Sequence, residues 1–367
     1  MSQQPTPKPG VLRVAPYVGG AAPAKGQEGV VKLSSNENPY GPSEAAMKAY
    51  RMAGRDLHRY PETSHHALRQ AIADAYGLAA DRIVCGNGSD ELLHLLAQCF
   101  SGRGDEVIVT EHGFAMYPIV AHAAGAKPVT VPERERRVDV DAILAAVSRR
   151  TRLVFLANPA NPTGTMLGGN EVGRLAASLP RQTLLVLDGA YAEYAPGYDG
   201  GAALVDRSQN VVMTRTFSKI HGLGGLRVGW AYGPTAVIDA VNRIRGPFNL
   251  SEIQQSVAEA AVRDKAHAER SHQENTRLRE WLTGALRELG LAVDPSSANF
   301  VLARFHSADE ARDCLGWLKE EGILVRYVGS YGIPEGLRIT VGDEASCRRV
   351  VHEVGRFLKE RELPASA

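Results

Sequence analysis

The sequence predicts an α/β protein in which a mostly parallel, doubly wound sheet is followed by a smaller α+β unit. From about residue 56 to residue 246, short apolar runs alternate with helix-like stretches, which is typical of parallel sheets built from βαβ units. Several of these runs are continuous stretches of Val, Ile and Leu, as expected for strands covered by helices on both faces. At 367 residues the chain is long enough for two domains.

Seven strands are expected in the first unit. They are Arg82–Cys85, Glu106–Thr110, Lys127–Val131, Arg152–Ala157, Thr183–Leu187, Val211–Thr214 and Val228–Tyr232. Helical patterns lie between them, for example at Glu91–Phe100 and Val140–Val147. Ligands of such sheets bind beyond the carboxyl ends of the strands, so the residues that follow each strand are the candidates for a functional site.

A second unit begins near residue 250. Ser251–Gln254 has the pattern of a capping box, and it starts a long helical stretch that ends at about Leu289. The elements expected after it are the strand Asn299–Phe305, the helix Asp309–Glu320, the strands Ile323–Tyr327 and Leu337–Val341, and the helix Asp343–Lys359. We therefore divide the chain into an N-terminal arm (1–32), a large domain (33–249) and a small C-terminal domain (250–367).

The composition argues against several classes of protein. Lys and Arg number 42 and Asp and Glu 41, which gives a net charge of +1 and argues against nucleic-acid or membrane partners. The four cysteines form no CxxC pair, so a disulfide scaffold or a zinc site is not expected. No apolar run approaches the roughly 18 residues of a membrane span, and residues 1–26 lack the apolar core of a signal peptide. We expect a cytoplasmic protein with no metal.

Two glycine-rich turns follow strands of the large domain. Gly86–Glu91 leads into an apolar helix, whose free N–H groups and dipole would favour a phosphate group. Gly222–Arg227 is the second turn. Neither turn matches the dinucleotide fingerprint GxGxxG or the phosphate loop GxxxxGK[ST]. The sequence therefore argues against a nicotinamide dehydrogenase and a nucleotide triphosphatase.

Polar residues follow three further strands. Asn161 lies in a stiff loop with two X-Pro steps, and Asp188 directly follows an apolar strand, where a carboxylate needs a partner for its charge. Lys219 follows Ser218 at the end of the next strand. Desolvation lowers the pKa of a lysine and makes its amine a nucleophile. These residues favour an amine-based reaction at the edge of the sheet.

Three motifs, in order, resemble those of the fold-type I aminotransferases that use pyridoxal 5′-phosphate. They are NPTG at Asn161–Gly164, DxAY at Asp188–Tyr191 and SKxxGLxGLR at Ser218–Arg227. The resemblance covers nearly the whole chain. It implies a large cofactor-binding domain, a small domain, and amino-group transfer through a Lys219 aldimine.

Further segments resemble the branch of this family that acts on histidinol phosphate. They are Pro16–Tyr17, Ser35–Pro39, Arg59–Glu62, Gly86–Glu91, Met116–Tyr117 and Leu337–Gly342. The reaction implied is L-histidinol phosphate plus 2-oxoglutarate to imidazole acetol phosphate plus L-glutamate, a step of histidine biosynthesis.

The resemblance implies a role for each cofactor-site residue. Asp188 would pair with the pyridine nitrogen, and Tyr191 with Asn161 would bond the 3′ oxygen of the ring. Phe114 would stack on the ring. The phosphate would be held by Gly88, Ser89, Ser218 and Arg227.

The resemblance also implies a homodimer, because Tyr60 and the arm would reach the second subunit, Tyr60 at its cofactor phosphate. The substrate-binding residues implied are Arg338, Arg326, Tyr17 and Asn38. Arg338 would bind the acidic group of the substrate, which is the α-carboxylate of glutamate or the phosphate group of histidinol phosphate. Arg326 and Tyr17 would assist it. Gly189 departs from the glutamate that many members carry, and Phe114 from a frequent tyrosine.

Three alternatives remain open at this stage. An aromatic amino acid aminotransferase shares the scaffold, since Arg338 binds a carboxylate or a phosphate. A decarboxylase of a phosphorylated amino acid shares the cofactor but would release CO₂. A non-catalytic regulatory protein of the family would carry a DNA-binding domain, for which the arm before Val31 is too short.

Overall fold

The computed structural model describes residues 5–24, 26 and 29–362. Its helices are α1 (Glu44–Ala53), α2 (His66–Tyr76), α3 (Gly88–Phe100), α4 (Met116–Ala124), α5 (Val140–Ala146), α6 (Gly169–Ser178), α7 (Ala202–Arg207), α8 (Thr235–Ile244), α9 (Glu252–Arg263), α10 (Lys265–Glu288), α11 (Ala308–Glu320) and α12 (Glu344–Glu362). Its strands are β1 (Val31–Lys32), β2 (Ile83–Gly86), β3 (Glu106–Thr110), β4 (Lys127–Val131), β5 (Glu133–Arg134), β6 (Arg137–Val138), β7 (Thr151–Ala157), β8 (Leu184–Asp188), β9 (Val211–Thr216), β10 (Gly229–Tyr232), β11 (Ala292–Val293), β12 (Phe300–Arg304), β13 (Ile323–Leu324), β14 (Arg326–Tyr327) and β15 (Gly336–Thr340).

The large sheet has seven strands in the order β2-β10-β9-β8-β7-β3-β4. Strand β10 runs antiparallel to both of its neighbours, and the other pairs are parallel. The predicted α/β class with a mostly parallel sheet is therefore confirmed, and each of the seven expected strands is present within two residues of its predicted ends. Strand β8 extends one residue further than predicted, so that Asp188 is its last residue.

A hydrophobic core lies on each face of the large sheet. Along β8, Leu185 and Leu187 belong to one hydrophobic core, whereas Leu184 and Val186 belong to the core on the opposite face. Alternate residues of a strand point to opposite faces, so a continuous apolar run is what a sheet covered on two sides requires.

The small sheet has the order β11-β12-β15-β14, with antiparallel neighbours. The single helical stretch expected to end near Leu289 is two helices, because Asp264 caps α10 by accepting a hydrogen bond from the backbone N–H of His267. The strand expected at Ile323–Tyr327 is also two, since β13 pairs in parallel with β1 at the end of the arm. β14 joins the small sheet instead.

The two helices after residue 250 contribute to different cores. Val257 and Ala261 of α9 pack in a core of the large sheet, whereas Leu278 and Leu282 of α10 pack in the core of the small sheet. The domain boundary between residues 249 and 250 stays a prediction. No helix among the described residues is long and apolar enough to cross a membrane.

Candidate active site

A cavity of about 290 Å³ lies at the carboxyl ends of the parallel strands. It brings together residues that the sequence places far apart: Tyr17, Ser89, Phe114, Asn161, Asp188, Tyr191, Ser218, Lys219, Arg227, Arg326 and Arg338. Since these are the residues singled out at strand ends and in the small domain, one cavity collects most of the predicted site.

Lys219 lies in this cavity behind the end of β9. Its Nζ donates to the backbone carbonyl oxygen of Ser35 at 3.3 Å and lies 5.7 Å from the centre of the Tyr191 ring. Burial, together with the nearby positive charge of Arg338, lowers the pKa of Lys219 to about 8. A larger fraction of this amine is therefore neutral, and so nucleophilic, at neutral pH than for an ordinary lysine.

Asp188 closes one side of the cavity and is buried. Its Oδ2 accepts a hydrogen bond from the Tyr117 hydroxyl at 2.8 Å. Its Oδ1 accepts from the Ala190 N–H at 3.2 Å and the Thr214 hydroxyl at 3.3 Å. Burial raises the pKa of Asp188 to about 6 against the lowering effect of these bonds. The carboxylate can hold a positive charge that a bound group brings to it.

Tyr191 and Asn161 present donors to the same space. The Tyr191 hydroxyl accepts a hydrogen bond from the Asn36 side-chain amide at 2.9 Å, which leaves its proton for another acceptor. The Asn161 carbonyl oxygen accepts from Arg338 at 2.6 Å, so its amide faces away from that bond. Both side chains can donate to one oxygen of a ligand.

The glycine turns meet at one end of the cavity. Arg227 donates to the Ser218 hydroxyl at 3.2 Å and pairs with Asp90 of α3 at 3.0 Å. Gly88 has a φ of 78°, and a Cβ there would lie 2.5 Å from Arg227 Nη2. Glycine is needed here because a side chain would displace the guanidinium. Together with Ser89 at the start of α3, these groups suit a phosphate.

Arg338 reaches the cavity from β15 of the small domain and is buried. Its Nη2 donates to the carbonyl oxygen of Ser34 at 2.8 Å, and its Nε has no hydrogen-bond partner among the described residues. A buried N–H group without a partner is costly. A substrate anion would therefore find an unused donor beside a fixed positive charge.

The arm covers the mouth of the cavity. The Tyr17 ring packs edge-on against Phe114 at 6.4 Å between centroids. Arg326 of β14 donates to the carbonyl oxygens of Val18 and Gly19, which ties the arm to the small domain. The predicted substrate helpers Tyr17 and Arg326 are thus neighbours at the entrance.

Two predicted residues lie elsewhere. Tyr60 is 82% exposed and stacks on Phe248 at 4.5 Å, away from the cavity of its own chain. Asn38 is buried, and its amide donates to the backbone of Ile220 at 2.8 Å and to Ser271 at 3.0 Å. Asn38 therefore holds the loop that carries Lys219 and does not line the cavity.

Sequence reasoning missed four residues that support the site. Asn36 and Thr214 bond Tyr191 and Asp188, Tyr117 bonds Asp188, and Asp90 pairs with Arg227. Three of them lie inside segments that had been singled out, at Ser35–Pro39, Gly86–Glu91 and Met116–Tyr117. Their roles become visible only in the folded structure, because each hydrogen bond joins residues at least 26 positions apart in the sequence.

The donor set of the cavity fits pyridoxal 5′-phosphate. Among the described residues no cation pairs with the buried Asp188, so a protonated ring nitrogen would supply the missing charge. Lys219 offers an amine to the aldehyde. Arg227 and Ser218 would hold the phosphate, and Tyr191 with Asn161 would hold the ring oxygen.

The chain belongs to the aminotransferases of class I and II, whose family model matches residues 28–354. The histidinol-phosphate aminotransferase of Dinoroseobacter shibae is 60% identical over 96% of this chain and 98% of its own. That of Ruegeria pomeroyi is 60% identical over 97% and 99%. The crystal structure of histidinol-phosphate aminotransferase from Sinorhizobium meliloti in complex with pyridoxal 5′-phosphate has a TM-score of 0.86. It is 31% identical and covers 90% of this chain and 91% of that chain.

Proposed function

We propose that the protein transfers the amino group of L-histidinol phosphate to 2-oxoglutarate, with pyridoxal 5′-phosphate as its cofactor, as a step of histidine biosynthesis. The products are imidazole acetol phosphate and L-glutamate. The observation that carries the proposal is one cavity in which a lysine of lowered pKa lies near a buried carboxylate and a buried arginine. The names of the relatives at 60% identity support the substrate.

Each residue has a separate task in this reaction. When bound, the cofactor supplies an aldehyde for the amine and a ring that accepts the electrons left at the substrate α-carbon. Asp188 keeps a proton on the ring nitrogen, since an adjacent negative charge favours the charged form. The Lys219 amine would take the proton from the substrate α-carbon as general base and deliver it to C4′, the former aldehyde carbon of the cofactor, as general acid.

One site must accept two amino donors in turn. Arg338 can bind the α-carboxylate of glutamate or the phosphate of histidinol phosphate, because its planar guanidinium suits both anions. The phosphate brings more oxygens and more charge, and Arg326 with Tyr17 lies where these would arrive. Binding the phosphate would exchange the Arg326 bonds to the arm carbonyls for charge-assisted ones.

The substrate preference gives the first test. We expect kcat/KM for histidinol phosphate to exceed that for phenylalanine or tyrosine by roughly 10- to 100-fold, the value of one added charged hydrogen bond. Arg326→Ala should narrow this ratio, whereas Arg312→Ala, an exposed arginine of α11 paired with Asp309, should not. Absence of amino exchange with histidinol phosphate would overturn the proposal. A higher value for phenylalanine or tyrosine would favour the aromatic amino acid aminotransferase.

We further propose that the enzyme is a cytoplasmic homodimer in which Tyr60 contacts the cofactor phosphate of the partner subunit. Tyr60 and Leu57 are 82% and 72% exposed, and Met52 and Phe248 are 58% and 44% exposed. Exposed apolar residues at neighbouring positions are typical of an interface, and pairs with twofold symmetry are the commonest oligomers.

Mixing two defective variants tests where Tyr60 acts. Tyr60→Ala should weaken cofactor binding by about tenfold, and Lys219→Ala should be inactive. If Tyr60 serves the partner, the mixed dimer has one site with both Lys219 and Tyr60 intact, so activity at limiting cofactor returns on mixing. If Tyr60 serves its own chain, or if the protein sediments as an active monomer, mixing restores nothing and the assignment fails.

A further inference from the structure

Tyr117 is a buried residue whose hydroxyl donates a hydrogen bond to Asp188. The ring is 1% exposed. It stacks on Phe155 with centroids 4.9 Å apart and planes 5° apart, and it meets the Phe114 ring edge-on at 5.7 Å. These two contacts restrict rotation of the ring. Its hydroxyl is 2.8 Å from Asp188 Oδ2, the shortest hydrogen bond that this carboxylate receives.

The surroundings of Asp188 otherwise disfavour its charge. Burial raises its pKa, and Asp90 of α3 adds a second negative charge nearby. Tyr191, in the loop after β8, is a neutral phenol, because burial raises its pKa to about 12. Thr214 of β9 gives a longer hydrogen bond. The Tyr117 hydroxyl is therefore the main group that favours the ionised carboxylate.

Tyr117 itself can only act as a donor. Burial and the neighbouring Asp188 raise its pKa well above the ordinary value of a phenol. The hydroxyl thus keeps its proton throughout the pH range in which Asp188 titrates, and the proton points to Oδ2. A hydrogen bond to an ionised acceptor is stronger than one to a neutral acceptor.

We propose that Tyr117 is a positioning residue that holds Asp188 ionised and oriented toward the ring nitrogen of the cofactor. The inference rests on the proposed function, since it concerns the carboxylate that would pair with that nitrogen. The Tyr117 hydroxyl donates to Asp188, so we expect it to act through that carboxylate. Tyr117 lies three residues after Phe114, at the start of α4. The same short segment therefore positions both the ring that would stack on the cofactor and the hydroxyl that bonds Asp188.

The test compares cofactor affinity across pH in apoenzyme, from about pH 5 to about pH 8. Tyr117→Phe keeps the ring and removes the hydroxyl, so the pKa of Asp188 should rise. We expect the dissociation constant to increase at most about tenfold, with the loss growing as pH falls through the higher pKa of the variant. Titration of the free cofactor is the same for both proteins and cancels in the ratio.

The matched control is Tyr232→Phe. Tyr232 is also buried and donates to a carboxylate, that of Asp206, outside the cavity. The Tyr232→Phe substitution should leave the affinity for the cofactor unchanged at every pH. A loss in Tyr117→Phe that is constant across pH would show a purely structural role and overturn the proposal, as would no loss.

A second variant keeps the proposal falsifiable if Tyr117→Phe does not fold. Incorporation of 3-fluorotyrosine at position 117 retains the ring and makes the hydroxyl a stronger donor. The midpoint of the pH dependence should then move to lower pH. A midpoint that stays in place or moves to higher pH contradicts the proposal, and neither result depends on which amino donor the enzyme prefers.

Discussion

Replacing Lys219 by alanine is expected to lower the rate of amino transfer by on the order of 10⁴-fold or more. The variant loses both the nucleophile that receives the cofactor and the base that moves the α-proton. No other lysine lines the cavity, so no described side chain of this type can replace it. The loss is measured as the steady-state rate at which histidinol phosphate and 2-oxoglutarate yield glutamate.

The control for this experiment is Lys127→Ala. Lys127 is an exposed residue at the start of β4, at the opposite end of the strands from the cavity, and its removal should leave the rate unchanged. The Lys219→Ala protein should still retain cofactor on gel filtration, because Arg227 and Ser218 are intact. If Lys219→Ala kept one-tenth of the wild-type activity, the result would show that another amine does the chemistry.

The second large effect is expected for Arg338→Ala. The change removes a buried charge that anchors both amino donors and leaves Asn161 Oδ1 and the Ser34 carbonyl without their donor. Loss of one member of a buried charged contact costs about 3–5 kcal/mol. We therefore expect kcat/KM to fall by on the order of 10³-fold for glutamate and for histidinol phosphate alike.

Two comparisons make the Arg338 result specific. Arg338→Lys keeps the charge but loses the planar fork, so it should recover only part of the loss. Arg304→Ala, on the adjacent strand β12 and paired with Asp294, should leave both substrates unaffected. A loss restricted to one of the two amino donors would contradict shared recognition by Arg338.

The strand pattern was the most predictable part of the fold. Short apolar runs marked the seven strands of the large sheet, and several of them, such as β3 and β8, are nearly continuous because both of their faces are buried. The break at Asp264 between α9 and α10 was missed, since helix-forming residues continue on both sides of it and only the cap separates them. The pairing of β1 with β13 joins segments about 290 residues apart, which no local pattern reports.

The residues of the site were predictable to the extent that they end strands or lie in recognisable motifs. Lys219, Asp188 and Arg338 were found in this way, and one cavity contains all three. Asn38 was assigned to the substrate from its segment alone, whereas its amide bonds the backbone of Ile220. The direction in which a side chain points depends on the backbone around it. A motif therefore gives the position of a residue in the chain but not the groups that its side chain contacts.

The most direct test of the account is reduction of the cofactor-loaded protein with borohydride, followed by peptide mass mapping. The account predicts one stable adduct of pyridoxal phosphate, on the peptide that contains Lys219. Colourless protein with no adduct, or an adduct on a different lysine, would contradict it.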